Sequence, residues 1–360
     1  MTNTVNISKL TRISYLLGAG ASFHALPIVS QIPERYENFV GSVLNLIRTH
    51  FGKEPLKNPE NASEEQQPDP IFMASLFASY LQKFRPGINS HSSVDTYAKK
   101  LYLTKDDELE YYKFCLSAFL AYEQIVRGPD KRYDTFFASI LGEDVHDFPH
   151  GLNILSWNYD TQLEIAYSKY SRDERMHAAR DSLRVITKLS KSNFGNFMDE
   201  FCVVKLNGSI GSTGRDGNFM TYLHDHCYGE CKEFDFDDLQ VIISSFKNLV
   251  TSRQVMPLMS FAWENESDSG NSVVGFARSL VEQTEVLVVI GYSFPFFNRK
   301  VDGAIFKTMY GLKKVYVQDP YGEDLVQTVQ DLCAANSMSR NPEIIPYHNV
   351  NQFLIPRELV

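Results

Sequence analysis

A glycine-rich turn follows the first apolar segment of this sequence, residues 12–17. The turn consists of Gly18-Ala19-Gly20-Ala21-Ser22. Small residues let main-chain N–H groups approach a diphosphate closely, and the start of a following helix adds a favourable field for an anion. The turn lacks the third glycine of a dinucleotide-binding pattern, because Phe23 stands at that position. Taken alone, it is compatible with nucleotide binding and with an ordinary tight turn.

Amide and carboxylate side chains follow the next two strand-like segments. Residues 152–157 run into Asn158 and Asp160, and residues 201–206 run into Asn207. An asparagine or aspartate at such a place can cap the start of a helix, and the glycines after Asn207 suit a polar turn. Each segment by itself is therefore ambiguous between a binding site and a purely local structural role.

Two later apolar segments end in the same way. Residues 286–290 lead into Gly291 and Ser293, and residues 315–317 lead into Asp319. Polar residues or glycines thus follow five successive strand candidates, which a merely structural sheet would not require. Because ligands of open α/β sheets bind outside the carboxyl ends of the strands, these residues are the candidates for a binding site.

Strand and helix patterns alternate over the second half of the chain, and this alternation must position the candidate residues. Strands are predicted at 152–157, 201–206, 286–290, 315–317 and 343–346, and helices at 159–170, 239–251, 272–283, 299–310 and 322–335. Such alternation predicts a parallel sheet with helices on both faces. The predicted fold class is therefore α/β, a doubly wound Rossmann-like parallel sheet.

Only helical patterns separate the first strand candidate from the second. Helices are predicted at 34–51, 71–85, 92–103, 106–127 and 131–142, and the proline-rich segment 52–70 is predicted to be an exposed loop. We therefore predict a helical insertion after the first strand. The expected boundaries are 1–33 for the first strand and its nucleotide loop, 34–150 for the insertion, and 151–360 for the rest of the core.

The composition excludes several classes of protein. Its 35 basic and 44 acidic side chains leave a net charge of −9, which argues against broad binding to nucleic acid. The longest aliphatic run, Val286–Ile290, is far shorter than the ~20 residues of a membrane helix. Five cysteines form an odd and scattered set, which indicates reduced thiols and a cytoplasmic location.

One segment invites a zinc interpretation. His224, His226, Cys227 and Cys231 lie close together. However, the segment has a single CxxxC pair, and no second cysteine pair follows at the usual spacing. We therefore expect a mobile loop with reduced thiols, and no metal.

The ordered set of motifs resembles the sirtuin-like NAD-consuming family. The matching elements are GAGAS at 18–22 with Leu26-Pro27 nearby, WNYD at 157–160, KLNGS at 205–209 and GYSF at 291–294. In particular, the sequence resembles the divergent bacterial branch of NAD hydrolases that act in antiphage defence, often beside a partner ATPase or a short Argonaute. The resemblance covers about residues 12–30 and 150–320.

The resemblance implies a role for each matching residue. Asn158 would bind the ribose hydroxyls or the water, and Asp160 the carboxamide of nicotinamide. The loop 18–22, with Pro27 beside it, would cradle the diphosphate. The adenosine half would contact Gly291, Ser293 and Asp319. NAD is then the expected substrate or ligand, and a homo-oligomer is the expected assembly.

One residue departs from the family pattern. Active relatives carry histidine where this chain has Asn207, and an amide cannot accept and release a proton near pH 7. Loss of a general base typically costs ~10²–10⁴-fold in rate. The hydrolase is therefore slow, or another group such as His224 or His226 substitutes, or the site binds NAD or ADP-ribose without cleaving it and gates a partner. A third possibility is an assembly subunit whose core is vestigial.

Overall fold

The computed structural model describes residues 11–57, 59, 70–104, 108–188, 200–213, 223, 232–252, 255–264, 272–335 and 341–359. The strands in these ranges are β1 (Ile13–Leu17), β2 (Leu152–Ser156), β3 (Val185–Ile186), β4 (Val203–Lys205), β5 (Gly208–Thr213), β6 (Met256–Met259), β7 (Val286–Ile290), β8 (Lys314–Gln318) and β9 (Glu343–Tyr347). Every strand predicted from the sequence is present among them, although β4 is shorter than predicted.

The main sheet has seven strands in the order β3-β4-β2-β1-β7-β8-β9, and all of its pairings are parallel. On one side of β1 the chain adds β2, then the edge strand β3, and then β4 between them, and on the other side it adds β7, β8 and β9 outward in order. This order confirms the predicted Rossmann-like parallel sheet and places the crevice between β1 and β7.

Within the described residues, some helices cover the faces of this sheet and others form a second layer beside it. They are α1 (Ile32–Phe51), α2 (Pro70–Ser90), α3 (Val94–Leu103), α4 (Leu109–Arg127), α5 (Lys131–Ile140), α6 (Gln162–Ser168), α7 (Met176–Ser182), α8 (Phe236–Ser252), α9 (Val273–Leu280), α10 (Arg299–Phe306) and α11 (Gly322–Ala335). Helices α1 to α5 lie between β1 and β2 in the chain, where the sequence predicts helices.

Strands β1, β2, β4 and β7 are buried on both faces of the sheet, and their successive side chains point to opposite faces. On one face Tyr15 and Val288 pack with α5, α6 and α7. On the other face Leu16 and Val289 pack with α9, α10 and α11. This two-sided burial explains why the strands are almost wholly apolar.

A third cluster of buried residues forms a separate helical layer. It joins α1 to α4 with α8 and with the antiparallel pair β5–β6. The pair β5–β6 is absent from the sequence predictions. Helix α5 does not belong to this cluster, since Phe136 and Phe137 pack against the sheet instead. The helical layer is therefore built from two stretches of chain, one before β2 and one after β4.

Glycines allow the loops that follow β1 and β7 to touch through their backbones. A Cβ on Gly18 would lie 2.6 Å from the carbonyl oxygen of Gly291, and one on Gly20 would lie 2.8 Å from the Gly291 Cα. Gly291 itself has φ of 56°, in the left-handed region. A side chain at any of these three positions would push the two loops apart.

We expect Gly291→Ala to lower the free energy of unfolding by about 2–5 kcal/mol. Its positive φ costs an alanine ~1–2 kcal/mol, and the overlap with Gly20 adds the cost of overpacking. Chemical denaturation of the full chain measures the loss. The control is Gly41→Ala, because Gly41 lies in α1 with open space around its Cα. It should stabilise by about 0.5–1 kcal/mol, and equal effects of the two changes would contradict the contact.

Candidate functional site

A cavity of about 440 Å³ lies between the carboxyl ends of the central strands and the helical layer. This volume lies within the range of ~300–1,000 Å³ that is usual for small-molecule sites. Polar side chains come mainly from loops of the sheet. The lining contributed by the helical layer is mostly apolar and includes Val94, Leu116 and Phe119. The wall formed by the sheet loops is therefore the more polar one, and the wall formed by the helical layer is mostly apolar.

The cavity brings together most of the residues that the sequence singles out. Those that line it are Ala19, Ser22, Pro27, Asn158, Asp160, Asn207, Gly291 and Ser293. They come from the loops after β1, β2, β4 and β7. These four strands are consecutive neighbours in the sheet, in the order β4-β2-β1-β7. Gly18, Gly20 and Ala21 do not line the cavity, since they lie in the backbone contact behind it.

The glycine turn uses several of its N–H groups within the protein. Gly18 N donates to Ile290 O at 3.0 Å, Gly20 N to Gly291 O at 2.9 Å, and Ala21 N to Gly18 O at 2.9 Å. These three N–H groups are therefore already paired. The glycines are accounted for by the contact between the two loops, without any need for a phosphate.

Asp319 lies away from the cavity lining. It follows β8, and its carboxylate accepts a hydrogen bond from Tyr321 N at 2.9 Å. Its own N–H donates to Tyr347 O at 3.2 Å. Asp319 thus stabilises a turn at the end of β8, and the structure does not bring it together with Asn158, Asp160 and Asn207.

A chain of hydrogen bonds joins the glycine turn to the loop after β2. The Tyr133 hydroxyl lies 2.7 Å from Ser22 Oγ, which in turn donates to Asp160 Oδ2 at 2.7 Å. The other carboxylate oxygen, Oδ1, accepts from Gln162 N at 3.1 Å. Asn158 Nδ2 donates to Gly18 O at 2.8 Å. Asp160, the residue before the N-cap Thr161, therefore accepts the first N–H of α6 and fixes the loops at the same time.

Buried charges lie directly beneath Asp160. Lys205 Nζ donates to the backbone carbonyl of Asp160 and lies 3.3 Å from the Glu164 carboxylate. Both ionic side chains are almost completely excluded from solvent. Burial raises the pKa of Asp160, while the Lys205 charge and the Ser22 hydrogen bond act in the opposite direction. The lysine thus helps the loop to hold a carboxylate at the cavity floor.

Asn207 presents an unpaired oxygen at the site. Its side chain is only 4% exposed, and its Nδ2 donates to the Tyr159 hydroxyl at 3.4 Å. Its Oδ1 is buried and has no hydrogen-bond partner within the described part of the chain. A buried carbonyl oxygen without a donor costs ~1–3 kcal/mol. Asn207 lines the cavity, but this oxygen is turned away from the space that a water or a ligand could occupy.

A buried carboxyl group supports the cavity wall from behind. Asp302 accepts hydrogen bonds from Trp157 Nε1 at 3.1 Å and from the Tyr292 hydroxyl at 2.7 Å. Both aromatic residues line the cavity. Burial raises the pKa of Asp302 to about 7, although the two hydrogen bonds act to lower it. Asp302 therefore positions two rings of the wall without lining the cavity itself.

Sequence reasoning missed Asp95, a carboxylate that reaches the cavity from the helical layer. It is the second residue of α3, after the N-cap Ser93. Burial raises the pKa of Asp95 to about 6. In the sequence it looks like an ordinary acidic residue in the first turn of a helix, where the helix dipole favours it. Only the packing of α3 against the sheet loops brings it to the site.

The charged side chains that line the cavity in the described residues are all acidic. Its lining contains Asp95 and Asp160 and, among the residues that the structure describes, no lysine, arginine or histidine. Negative groups in a partly dry site stabilise positive charge that develops in a reaction. The arrangement can therefore stabilise a cationic or hydrogen-bond-donating group of a ligand.

No protein-family model matches the chain, and no curated protein matches it. Within the described ranges, no helix has the length and apolar character needed to span a membrane, and no cluster of side chains forms a metal site. The segment with His224, His226, Cys227 and Cys231 lies outside the described residues.

We expect Asp302 to make stability depend on pH. Its folded pKa of about 7 lies above the unfolded value of ~3.9, so the folded protein retains a proton that the unfolded chain releases between those pH values. The free energy of unfolding therefore falls as pH rises from about 4 to 7, and Asp302→Asn removes this contribution.

Urea unfolding of the wild type and of Asp302→Asn at half-unit pH steps measures the effect. The difference in unfolding free energy, wild type minus variant, should fall up to about pH 7 and level off above pH 8. Asp324→Asn, which removes an exposed carboxylate from α11, controls for the change in net charge. A difference that is flat from pH 4 to 8 would mean that Asp302 does not retain its proton.

Proposed function

We propose that the cavity binds NAD and that the protein hydrolyses it to nicotinamide and ADP-ribose. The observation that carries the proposal is the convergence of Asn158, Asp160 and Asn207 on one cavity. The ribose hydroxyls and the carboxamide of NAD supply hydrogen-bond donors for the amide and carboxylate groups of such a site. The sirtuin-like resemblance of the motifs supports the same substrate.

The chemistry suits a bond that breaks with development of positive charge. Cleavage of the nicotinamide–ribose bond passes through an oxocarbenium-like state, which nearby carboxylates stabilise. Asp160 supplies one at the floor of the cavity, and Asp95 supplies another from the opposite layer. Apolar side chains of α4 line the cavity beside these carboxylates, and an apolar wall strengthens their attraction for positive charge.

Asn158 is the residue best placed to orient the ribose or the attacking water. Its Nδ2 holds the glycine turn through Gly18 O, and its amide oxygen is a second group with which it can contact a ligand. A single buried side chain thus connects the loop after β1 with the reacting centre. This double role predicts a larger effect on turnover than on stability.

We expect Asn158→Ala to abolish nicotinamide release while the melting temperature falls by only a few degrees. The lost hydrogen bond is worth about 1 kcal/mol. Asn153→Ala is the matched control, because Asn153 is equally buried in β2 but does not line the cavity. It should destabilise similarly and keep its turnover. Loss of activity in both variants would show that destabilisation alone explains the effect.

Replacement of Asn207 by histidine tests the missing general base. We expect Asn207→His to raise nicotinamide release by about tenfold, which corresponds to about 1.4 kcal/mol of transition-state stabilisation. Asn298→His, which places the same ring elsewhere in the lining, should give no gain. An unchanged or lower rate in Asn207→His would mean that the native amide already acts as a positioning group.

Incubation of the full chain with NAD tests the proposal itself, with nicotinamide release and calorimetric binding as separate measurements. We propose that self-assembly, or a partner ATPase or short Argonaute, activates the enzyme in the cytoplasm as part of antiphage defence, so both conditions belong in the assay. Absence of release under every condition would refute the hydrolase. Absence of binding as well would refute an NAD site.

A non-catalytic role is the second candidate, and Asn207 is the observation that favours it. Without an imidazole at this position, the site can hold NAD or ADP-ribose and signal occupancy to a partner. Tight NAD binding by the wild type without turnover, together with activity gained in Asn207→His, would favour this role over hydrolysis.

A further inference from the structure

A buried tyrosine outside the cavity is hydrogen-bonded to a serine that lines it. Tyr133 lies in the first turn of α5 and is 1% exposed, and its hydroxyl lies 2.7 Å from Ser22 Oγ. Ser22 Oγ lies 2.7 Å from Asp160 Oδ2 and 3.4 Å from Asn158 Nδ2. No residue of α5 belongs to the described lining of the cavity, so any effect of Tyr133 on a ligand must pass through other residues.

The directions of these hydrogen bonds follow from the protons that each group carries. The Asp160 carboxylate can only accept, so the single proton of the Ser22 hydroxyl points to Asp160 Oδ2. The Asn158 amide nitrogen can only donate. Because the Ser22 proton is already used, the hydroxyl of Tyr133 must donate to Ser22 Oγ. The hydrogen-bond chain therefore runs from Tyr133 through Ser22 to Asp160 while Asp160 is ionised.

The Ser22 hydroxyl has no bonding capacity left for a ligand. A hydroxyl group has one proton and two lone pairs. Here Asp160 accepts the proton, and Tyr133 and Asn158 donate to the lone pairs. Although Ser22 lines the cavity, its hydroxyl thus serves to connect other residues of the protein, and it is neither a nucleophile nor a ligand contact.

The buried phenol favours the ionised form of Asp160. A neutral carboxyl group is a weaker acceptor than a carboxylate, and a proton on Oδ2 would point at Ser22 and reverse both hydrogen bonds. The phenol proton of Tyr133 would then need another acceptor, but Ser22 is the one hydrogen-bond partner of this hydroxyl among the described residues. A buried O–H group without an acceptor costs free energy. Tyr133 therefore makes protonation of Asp160 less favourable.

Charged groups around the hydrogen-bond chain act on Asp160 in both directions. Burial raises the pKa of Asp160, Lys205 lowers it, and Glu164 raises it. Asp130 and Arg132 lie beside the phenol and form an ion pair with each other at 2.6 Å. Burial raises the pKa of the phenol well above its usual value, so the phenol keeps its proton over the range in which a carboxyl group titrates. The phenol is thus a neutral donor throughout the titration of Asp160.

We propose that Tyr133 is a positioning residue for the Asp160 carboxylate, with the Ser22 hydroxyl as the connection between them. The part that Asp160 plays toward a ligand rests on the proposed function, whereas the hydrogen-bond chain is a property of the folded protein. The proposal gives α5 a role in the site, although α5 does not line the cavity. It has two consequences: Tyr133 and Ser22 are coupled, and Tyr133 stabilises the protein more when Asp160 is ionised.

A double-mutant cycle in unfolding by urea tests the coupling without a ligand. Tyr133→Phe should raise the unfolding equilibrium constant of the wild type by about fivefold, the effect of one buried hydrogen bond. In a Ser22→Ala background the same change should leave the constant unchanged or lower it, because it removes a phenol that has lost its acceptor. Equal effects of Tyr133→Phe in the two backgrounds would overturn the proposal.

Tyr15→Phe is the matched control for this cycle. Tyr15 is buried on the same face of the sheet, and its hydroxyl donates to Leu354 O at 2.9 Å. Its loss should raise the unfolding equilibrium constant by the same factor with or without Ser22→Ala, since a backbone carbonyl is its partner. Coupling of Tyr15 to Ser22 as strong as that of Tyr133 would mean that the cycle reports general packing, and this would also overturn the proposal.

The pH dependence of unfolding tests the link to Asp160. Without the phenol, Asp160 has a higher folded pKa, so Tyr133→Phe loses more stability than the wild type as pH rises. The difference in unfolding free energy, wild type minus Tyr133→Phe, should therefore increase between about pH 4 and 8. The corresponding difference for Tyr15→Phe should stay constant. A constant difference for Tyr133→Phe would refute its effect on Asp160.

The pH profile of nicotinamide release separates this inference from the proposed function. The acidic limb of the Tyr133→Phe profile should lie at higher pH than that of the wild type, and Tyr15→Phe should not move it. If the wild type neither binds nor hydrolyses NAD, the proposed function fails, while the unfolding measurements still decide the role of Tyr133. If NAD is hydrolysed and the acidic limb of Tyr133→Phe does not move, Tyr133 has no positioning role and the NAD site stands.

Discussion

The backbone contact between the loops that follow β1 and β7 determines the shape of the site. Gly18 and Gly20 approach Gly291 so closely that no side chain fits between them. The glycine turn is held from its other side by Arg132, whose Nη2 donates to Ala21 O at 2.8 Å. With the turn fixed in this way, Ser22 lies where it can bond to Asp160.

The charged and polar side chains beneath the site cost free energy to bury. Ion pairs and hydrogen bonds among these side chains offset that cost. Lys205 and Glu164 are almost fully buried together, and removal of either partner would leave an uncompensated charge. Asp160 depends on Lys205 and Ser22, and Asp302 depends on Trp157 and Tyr292. A sheet built only for stability would have apolar groups here, so these networks are consistent with a site that must hold charge near a ligand.

The two layers make different contributions to the cavity. The parallel sheet supplies polar groups from loops after several strands, because the carboxyl ends of parallel strands meet at one edge. The helical layer supplies an apolar wall from α3 and α4 and one carboxylate, Asp95. A ligand between the layers would contact both. Changes in how α3 packs would therefore alter the charge of the site without changing any motif of the sheet.

The sequence by itself determined the parallel α/β class, every strand of the main sheet except β3, and the polar residues at the strand ends, since apolar runs and the residues that stop them are local features. Asn158, Asp160 and Asn207 meet because β2 and β4, the strands that precede them, are parallel neighbours in the sheet. Only the tertiary structure decided that Asp95 faces them, that Asp319 does not, that Asp302 supports the wall, and that the glycines serve a loop contact. These relations join residues far apart in the chain, and their physical cause is packing between layers, which no local pattern encodes.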